Sequence, residues 1–233
     1  MAVSIDTVYQ RVLVLANKEQ RGYITPQEFN LFANQAQMDI FDQYFYDVNQ
    51  FSRIPGNSTG GSDMLDYLEE KIAIFEQEKP ININSTKEFY NIGASTGDFY
   101  KIDSVIYETF TCEQVNSNQL QNILNSPLLK PTTYNPIYTL KRDNKLFLYP
   151  TSLQEKITLN YIRRPLKVEW SGYNVSGSDL YDSTNSVDFE LHPSEETKLV
   201  IKILQLSGIT LKDPQLYQIA GAEDNKNIQQ EKQ

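Results

Sequence analysis

The sequence predicts an α+β protein in which N- and C-terminal helices form one helical bundle and carry an inserted, mostly antiparallel β-sheet domain. Three observations lead there. Apolar residues recur at three- and four-residue steps as far as Phe75, and do so again after Pro193. From Ile81 onward the period falls to two, through stretches rich in β-branched and aromatic residues. A run from Ser171 to Asp188, dominated by Ser, Gly, Asn, Asp and Tyr, then reads as a long polar loop before the last helices. The expected divisions are 1–80 for the N-terminal helical part, 81–192 for the inserted β-rich part, and 193–233 for the C-terminal helices and a polar tail.

Asp6 to Asn17 reads as a first helix, because Val8, Val12, Leu15 and Ala16 share a face, and Gly22 suits the conformation of a helix end. Thr25-Pro26-Gln27-Glu28 combines a capping hydroxyl, a proline where a helix needs no N–H, and a carboxylate three residues after the cap. Behind it Phe29, Phe32, Ala33, Ala36, Ile40, Phe41, Tyr44 and Phe45 make an apolar stripe about five turns long. Pro55 to Ser62 is a loop. Leu65, Leu68, Ile72 and Phe75 then continue as a third helix, capped by Ser62 or Asp63 and ending near Lys79-Pro80.

Strands are expected around Ile81 and Ile83, around Phe89, Tyr90 and Ile92, and from Ile102 to Phe110. Ile137 to Lys141 and Leu146 to Tyr149 flank Arg142-Asp143-Asn144-Lys145, whose Asp-Asn pair accepts the positive φ of a tight hairpin turn. Ile157, Leu159 and Tyr161, then Leu166, Val168 and Trp170, extend the alternation past Pro165. His192-Pro193-Ser194-Glu195-Glu196 opens a helix carrying Leu199, Val200, Ile203, Leu204 and Leu206, which Gly208 is expected to close near Ile209. Asp213-Pro214 restarts a helix through Leu216, Ile219 and Ala220, and Ala222 to Gln233 is polar with no face to bury.

A chain of 233 residues buries enough surface to fold without disulfides or metals. Fifteen tyrosines, eleven phenylalanines and one tryptophan exclude a disordered chain. Lys and Arg number 21 against 30 Asp and Glu, a net charge of −9, which argues against binding a phosphate backbone as the main role. No charged leader followed by an apolar run and no stretch approaching a membrane span is evident, so a soluble intracellular site of synthesis and no membrane partner are expected. One cysteine, Cys112, and one histidine, His192, leave little material for redox, metal or His-based chemistry.

Asn17 to Glu28 mimics a calcium-binding loop, with glycine at its sixth position and glutamate at its twelfth. Arg21 occupies a position that demands a cation ligand, and Thr25-Pro26 already explains the segment as a helix cap. His192 is expected to have a surface or capping role at a helix entry, and Cys112 to act as a small hydrophobe in a strand. Gly60-Gly61 lacks the lysine and spacing of a phosphate loop. Asp179, Asp182 and Asp188 are read as solvating the polar loop, since a loop does not hold carboxylates at a catalytic separation. No cofactor, metal or catalytic residue is therefore expected.

Two sets of residues suggest contact with other proteins. Tyr44, Phe45, Tyr46 and Phe51 crowd one helix end beyond what a single stripe needs, and are candidates for a subunit interface. Lys141, Arg142, Arg163 and Arg164 stand out in an acidic chain as a candidate patch for an acidic neighbour.

The segments Val8 to Arg11, Ala16 to Asn30 and Ala33 to Gln37 together resemble the start of virion structural proteins of tailed bacteriophages, notably the crAss-like group. The run Leu146 to Pro150 followed by Ile157 to Pro165 looks like the sheet of phage head-to-tail adaptor proteins. The helix after Pro193 with Gly208, Asp213-Pro214 and a Gln/Asn-rich tail is similar to their ending. The resemblance implies a ring subunit of the virion neck, a dodecamer in such adaptors, made in the host cytoplasm. It would lie between the portal protein and other neck or tail proteins, with genomic DNA only in transit. Under that resemblance Ala222, Asn225, Asn227, Gln229 and Gln230 are candidates for docking to the portal. The alternative reading is a carbohydrate- or receptor-binding tail module, suggested by Trp170, Tyr173 and Tyr181 beside the polar loop.

Overall fold

The computed structural model describes residues 3–18, 24–51, 63–84, 88–96, 98–141, 144–153, 155–175 and 178–210. The fold is mixed α+β and divides into two compact units. One is built from the residues up to Ile74 together with those from Pro165 onward, the other from Phe75–Arg164. The inserted part is thus shorter than the 81–192 expected, and residues 165–192 belong with the helices.

In the helical unit, α1 (Ile5–Lys18), α2 (Pro26–Phe51) and α3 (Asp63–Ala73) precede the insertion, and α6 (Glu196–Thr210) follows it. The α2 start is the expected reciprocal cap: Thr25 N–H donates to the Glu28 carboxylate at 3.0 Å, and Glu28 N–H donates to Thr25 Oγ1 at 3.3 Å. Phe29, Ala33, Ala36, Ile40, Phe41 and Tyr44 of the predicted stripe are buried. Helix α6 packs on α1 and α2, and α3 packs on α2. Helix α6 ends at Thr210, one residue beyond the expected Ile209, with Gly208 buried two residues before its end. Tertiary packing there overrides the weak helix propensity of glycine.

Leu166, Val168 and Trp170 keep their alternation but do not join a sheet. Their backbone lies along α2 and pairs with its side-chain amides. Asn34 accepts the Val168 N–H at 3.0 Å and donates to the Val168 carbonyl at 2.8 Å. One turn earlier, Asn30 accepts from Trp170 N–H at 2.8 Å and donates to its carbonyl at 3.1 Å. Gln37 donates to the Leu166 carbonyl at 2.8 Å and accepts from Glu190 N–H at 3.2 Å. Four helical residues rise about 6 Å and two extended residues about 6.6 Å, so amides one turn apart meet alternate backbone groups of an antiparallel segment. Three amides thereby replace a neighbouring strand and leave those backbone groups satisfied.

The polar run 171–188 is likewise not one long loop. It holds a hairpin of β9 (Gly172–Val175) and β10 (Ser178–Tyr181), followed by a turn closed by Asp182. Gly172 lies so close to Trp170 that a Cβ atom there would sit 2.6 Å from the indole ring. The chain then returns to α1: Glu169 pairs with Val187, Phe189 pairs with Val3, and Asp188 Oδ1 accepts the N–H of Ile5 at 2.8 Å. A carboxylate thus meets the positive end of α1 from 183 residues away.

The sheet unit holds two four-stranded sheets. In the first, β1 (Glu76–Ile81), β8 (Ile157–Arg163), β3 (Phe99–Tyr107) and β4 (Phe110–Thr111) lie in that order, all antiparallel. In the second the order is β2 (Tyr90–Asn91), β7 (Lys145–Tyr149), β6 (Ile137–Lys141) and β5 (Glu113–Gln114), with only β5 and β6 parallel. Val105, Leu159 and Tyr161 of one sheet and Tyr90, Leu146 and Leu148 of the other enter a single apolar core. The expected hairpin is present between β6 and β7, with Asn144 at φ 53°.

Three further expectations shift. Helix α3 stops at Ala73, and the chain is already a strand at Pro80, where an edge position tolerates the missing N–H. Ile92 opens a short helix, α4 (Ile92–Thr96), instead of continuing a strand. A helix not expected from the sequence, α5 (Ser117–Asn125), places Leu120, Ile123 and Leu124 against Val115 and Ile137.

The amide pairing makes Asn34 sensitive to a nearly isosteric change. Asn34→Asp removes both N–H donors and is expected to cost about 3 kcal/mol in urea unfolding. Gln35→Ala, on the exposed side of the same turn, should change stability by under about 0.5 kcal/mol.

Candidate functional site

A cluster of buried and hydrogen-bonded polar groups lies where α3 meets the start of α6. Lys71, near the end of α3, forms an ion pair with Glu195, and both side chains are almost fully buried. The Lys71 ammonium also lies 4.3 Å from the Tyr67 ring centroid and 5.5 Å from that of Tyr44. Tyr67 donates its hydroxyl to Ser194 Oγ at 2.8 Å, and His192 Nδ1 lies 2.8 Å from the same oxygen. Ser194 N–H also donates to that Nδ1 at 3.3 Å. His192 thus caps the 3₁₀ turn Pro193–Glu195 that leads into α6.

A serine beside an imidazole suggests a nucleophile and its base. Here the imidazole is committed to the backbone of the turn, and the adjacent carboxylate, Glu195, is engaged by Lys71. The arrangement ties α3 to α6. The sequence reading anticipated the histidine cap, but not the ion pair, whose partners are 124 positions apart and carry no local signal. Among the described residues, no group of three or more His, Cys, Asp or Glu side chains is placed to hold a metal ion.

Of the interface aromatics, Tyr44 turns inward and is 2 % exposed, stacked beneath Lys71. Phe45 packs edge-on against Phe41 at 5.1 Å and is half-buried, as is Phe51 at the end of α2. Tyr46 is 61 % exposed. Successive helical residues point about 100° apart, so an aromatic run cannot present all its rings to one neighbour. Tyr44 is corrected from interface to core. A larger apolar display, absent from the sequence reading, lies in the sheet unit after α5: Leu128 is 91 %, Leu129 63 % and Tyr134 77 % exposed. The signal was there in Pro127-Leu128-Leu129-Lys130-Pro131, where prolines bracket leucines that have no periodicity to bury them.

The basic candidates do not form one cluster. Lys141 ends β6, with its ammonium 4.2 Å from the Phe147 ring, while Arg163 ends β8 on the other sheet, 5.9 Å from the Phe75 ring. Arg164 is exposed and donates its N–H to the Asp98 carbonyl. Arg142 lies outside the described residues, as do Ala222, Asn225, Asn227, Gln229 and Gln230.

The remaining candidates have structural roles. Asp182 accepts from Asn185 Nδ2 at 2.7 Å and Thr184 N–H at 2.9 Å, bonds that hold its pKa down. Asp188 caps α1, and Asp179 lies in β10, so the carboxylates read as loop solvation are partly engaged in turns and helix ends. Glu28, the twelfth position of the calcium-like loop, is taken by its cap with Thr25; residues 19–23 of that loop lie outside the described residues. Trp170 is buried: its indole N–H donates to Asp6 at 3.0 Å and its ring lies 4.5 Å from Tyr9. It is not displayed for a sugar.

Cys112 is buried in the sheet core, where desolvation raises its thiol to about 11. Nearby Tyr90 is pushed to about 12 by burial and, secondarily, by Tyr107 and Cys112. Burial also raises Tyr107, Tyr138 and Tyr161. Among the described residues, no helix is long and apolar enough to cross a membrane.

Lys71→Met or Glu195→Gln alone should lower stability by about 3–5 kcal/mol, because each strands a buried partner. Lys71→Met combined with Glu195→Leu should cost clearly less than the sum of the single changes in urea unfolding. The Cys112 thiol should resist maleimide at pH 8 in the folded chain and react fully in urea. In the unfolded chain cysteine and tyrosine lose protons from about pH 8.5 to 10, before their folded counterparts, so stability should fall as pH rises above about 9. A urea midpoint unchanged from pH 8 to 10.5 would contradict this. No known protein-family model matches the chain, and no curated protein matches it in sequence.

Proposed function

We propose that this chain is a structural subunit of a bacteriophage neck, a head-to-tail adaptor ring that joins the portal to the tail and forms part of the DNA channel. It works by self-association and docking, without a catalytic step. The observation that carries the reading is the display of apolar side chains on separate surfaces, Tyr46 on the helical unit and Leu128, Leu129 and Tyr134 on the sheet unit. A ring closes through heterologous contacts, so each protomer needs two different surfaces that complement each other. Neighbouring exposed apolar side chains such as Leu128 and Leu129 are candidates for burial against a partner.

The sequence resemblance supplies the phage context, and the structure gives several of its residues a role. Asn30, Asn34 and Gln37, within the stretch that resembles virion proteins, clamp residues 166–170 to α2. In this reading α1, α2, α3 and α6 are the bundle that makes the ring body, with the sheet unit as its insert. The net charge of −9 suits a channel that DNA slides through without sticking. The polar stretch 222–233 is the proposed contact to the portal, and the virion neck the proposed location.

The test is particle mass and rotational symmetry, from light scattering and electron microscopy, alone and mixed with a portal preparation. A closed ring is expected in one or both conditions. Leu128→Asp with Leu129→Asp should leave a folded monomer that no longer assembles. A wild-type monomer indifferent to the portal, or one that binds glycans instead, would overturn the reading.

A further inference from the structure

The two sheets of the sheet unit share one apolar core, so each turns its other face outward. The two outer faces carry opposite charge. In the second sheet Tyr90, Leu140, Leu146 and Leu148 point into the core, and the alternate residues Phe89, Lys141, Lys145 and Phe147 therefore point out. Lys141 stands directly opposite Lys145 across the β6–β7 hairpin. Beside them the Phe89 and Phe147 rings stack with centroids 5.7 Å apart, and both rings are half-buried. Glu113 on β5 belongs to the same face, but it pairs with Ile137, four residues along β6 from Lys141 and thus about 13 Å away. In the first sheet Ile81 points into the core, so Glu76 and Glu78 of β1 point out, and both are exposed. They line a hollow of about 290 Å³ together with Asp103 and Asn160. Lys101 on β3 offsets one of these charges and leaves the face acidic.

Like charges placed directly opposite on one sheet face destabilise an isolated subunit. The neighbouring rings soften the cost, since the Lys141 ammonium lies 4.2 Å from the Phe147 centroid and that of Lys145 5.2 Å from the Phe89 centroid. They do not neutralise two positive charges; carboxylates of a partner do. Spacing and order fit the acidic face of a second copy. Glu76 and Glu78, two residues apart on one strand, are separated by about 6.7 Å. Lys141 and Lys145, as a cross-strand pair, are separated by about 5 Å, a difference that flexible side chains absorb. Past Glu78 the acidic face continues into Pro80 and, across Thr158, Ile106. Past the lysines the basic face continues into the two phenylalanines. Charge thus meets charge where apolar surface meets apolar surface. Because the two faces point away from each other, a chain cannot close this contact on itself.

We infer that the sheet units of neighbouring copies stack head to tail, with Glu76 and Glu78 of one copy set against Lys141 and Lys145 of the next. The inference rests on the self-association of the connector reading and names the surfaces that make it. Such a contact is heterologous, so every copy keeps one face of each sign for its two neighbours. Its electrostatic part fixes orientation and partner choice, and added salt weakens it.

The test is sedimentation of the full-length chain at about 50 mM and about 500 mM salt. The wild type should self-associate at low salt and about tenfold or more weakly at high salt. Lys141→Glu with Lys145→Glu in one chain, and Glu76→Lys with Glu78→Lys in another, should each weaken association about tenfold or more while the urea midpoint stays near that of the wild type. Mixed in equal amounts, the two variants should associate again. The unaltered acidic face of the first then meets the unaltered lysines of the second, and the two reversed faces also match. Variants that associate like the wild type, a mixture that does not recover, or a wild type that stays monomeric at low salt would overturn the inference. Single-stranded DNA bound by the wild type and lost only on reversing the lysines would also overturn it, by giving that face to a polynucleotide. Rings formed on the portal by either reversed variant would overturn this contact and leave the connector reading standing. A wild type that self-associates as described but ignores the portal would do the opposite.

Discussion

Three side-chain amides on one helix face determine where the last quarter of the described chain goes. Asn30, Asn34 and Gln37 offer α2 as a surrogate strand, and the segment after the sheet unit binds it through alternate backbone groups. An extended segment on the outside of a helix normally leaves one N–H and one C=O of every second residue facing side chains that cannot answer them. Asparagine carries both a donor and an acceptor on a short stem, so it closes both bonds at once. With residues 166–170 fixed, Trp170 is set between Tyr9 and Tyr181, Asp188 reaches the start of α1, and Phe189 pairs with Val3. His192 and Glu195 then arrive at α3, and α6 follows into the groove between its neighbours. The pairing aligns contacts whose partners are 124 to 186 residues apart.

The second fixed point is the Lys71–Glu195 pair. A buried ion pair is a poor source of stability but discriminates strongly against other arrangements, because any misregister of α3 and α6 strands a charge. Aromatic rings on both sides of the ammonium, Tyr44 and Tyr67, explain why the aromatic run of α2 is only partly available to a partner. Exposed apolar side chains are found elsewhere, among them Tyr46, Leu31 and the Leu128-Leu129 turn.

Much of this fold was legible where the signal is local. The Thr25–Glu28 cap, the stripe of α2, the hairpin around Asn144 and the α6 start at Pro193 all depend on residues within a few positions of one another. What the sequence hid is what depends on distant partners. The alternation of Leu166, Val168 and Trp170 is the same whether the backbone meets a strand or a row of amides, so period two alone assigned them to the sheet. The polar composition of 171–188 concealed a hairpin because its hydrophobic contact runs through Trp170 and Tyr181 at its edges. Pro80 misled as a local stop signal: α3 ends well before it, and tertiary context places it on an edge strand. The exposed Leu128 and Leu129 were missed because isolated leucines read as core unless flanking prolines are weighed.

The claim that most depends on the structure is that α2 acts as a strand for residues 166–170. Amide hydrogen exchange of the intact chain, read residue by residue, tests it directly. The account predicts that the N–H groups of Val168 and Trp170 exchange about as slowly as the buried turns of α2, opening only with global unfolding. Exchange of those two amides at the rate of an unstructured peptide, while α2 itself stays protected, would contradict it.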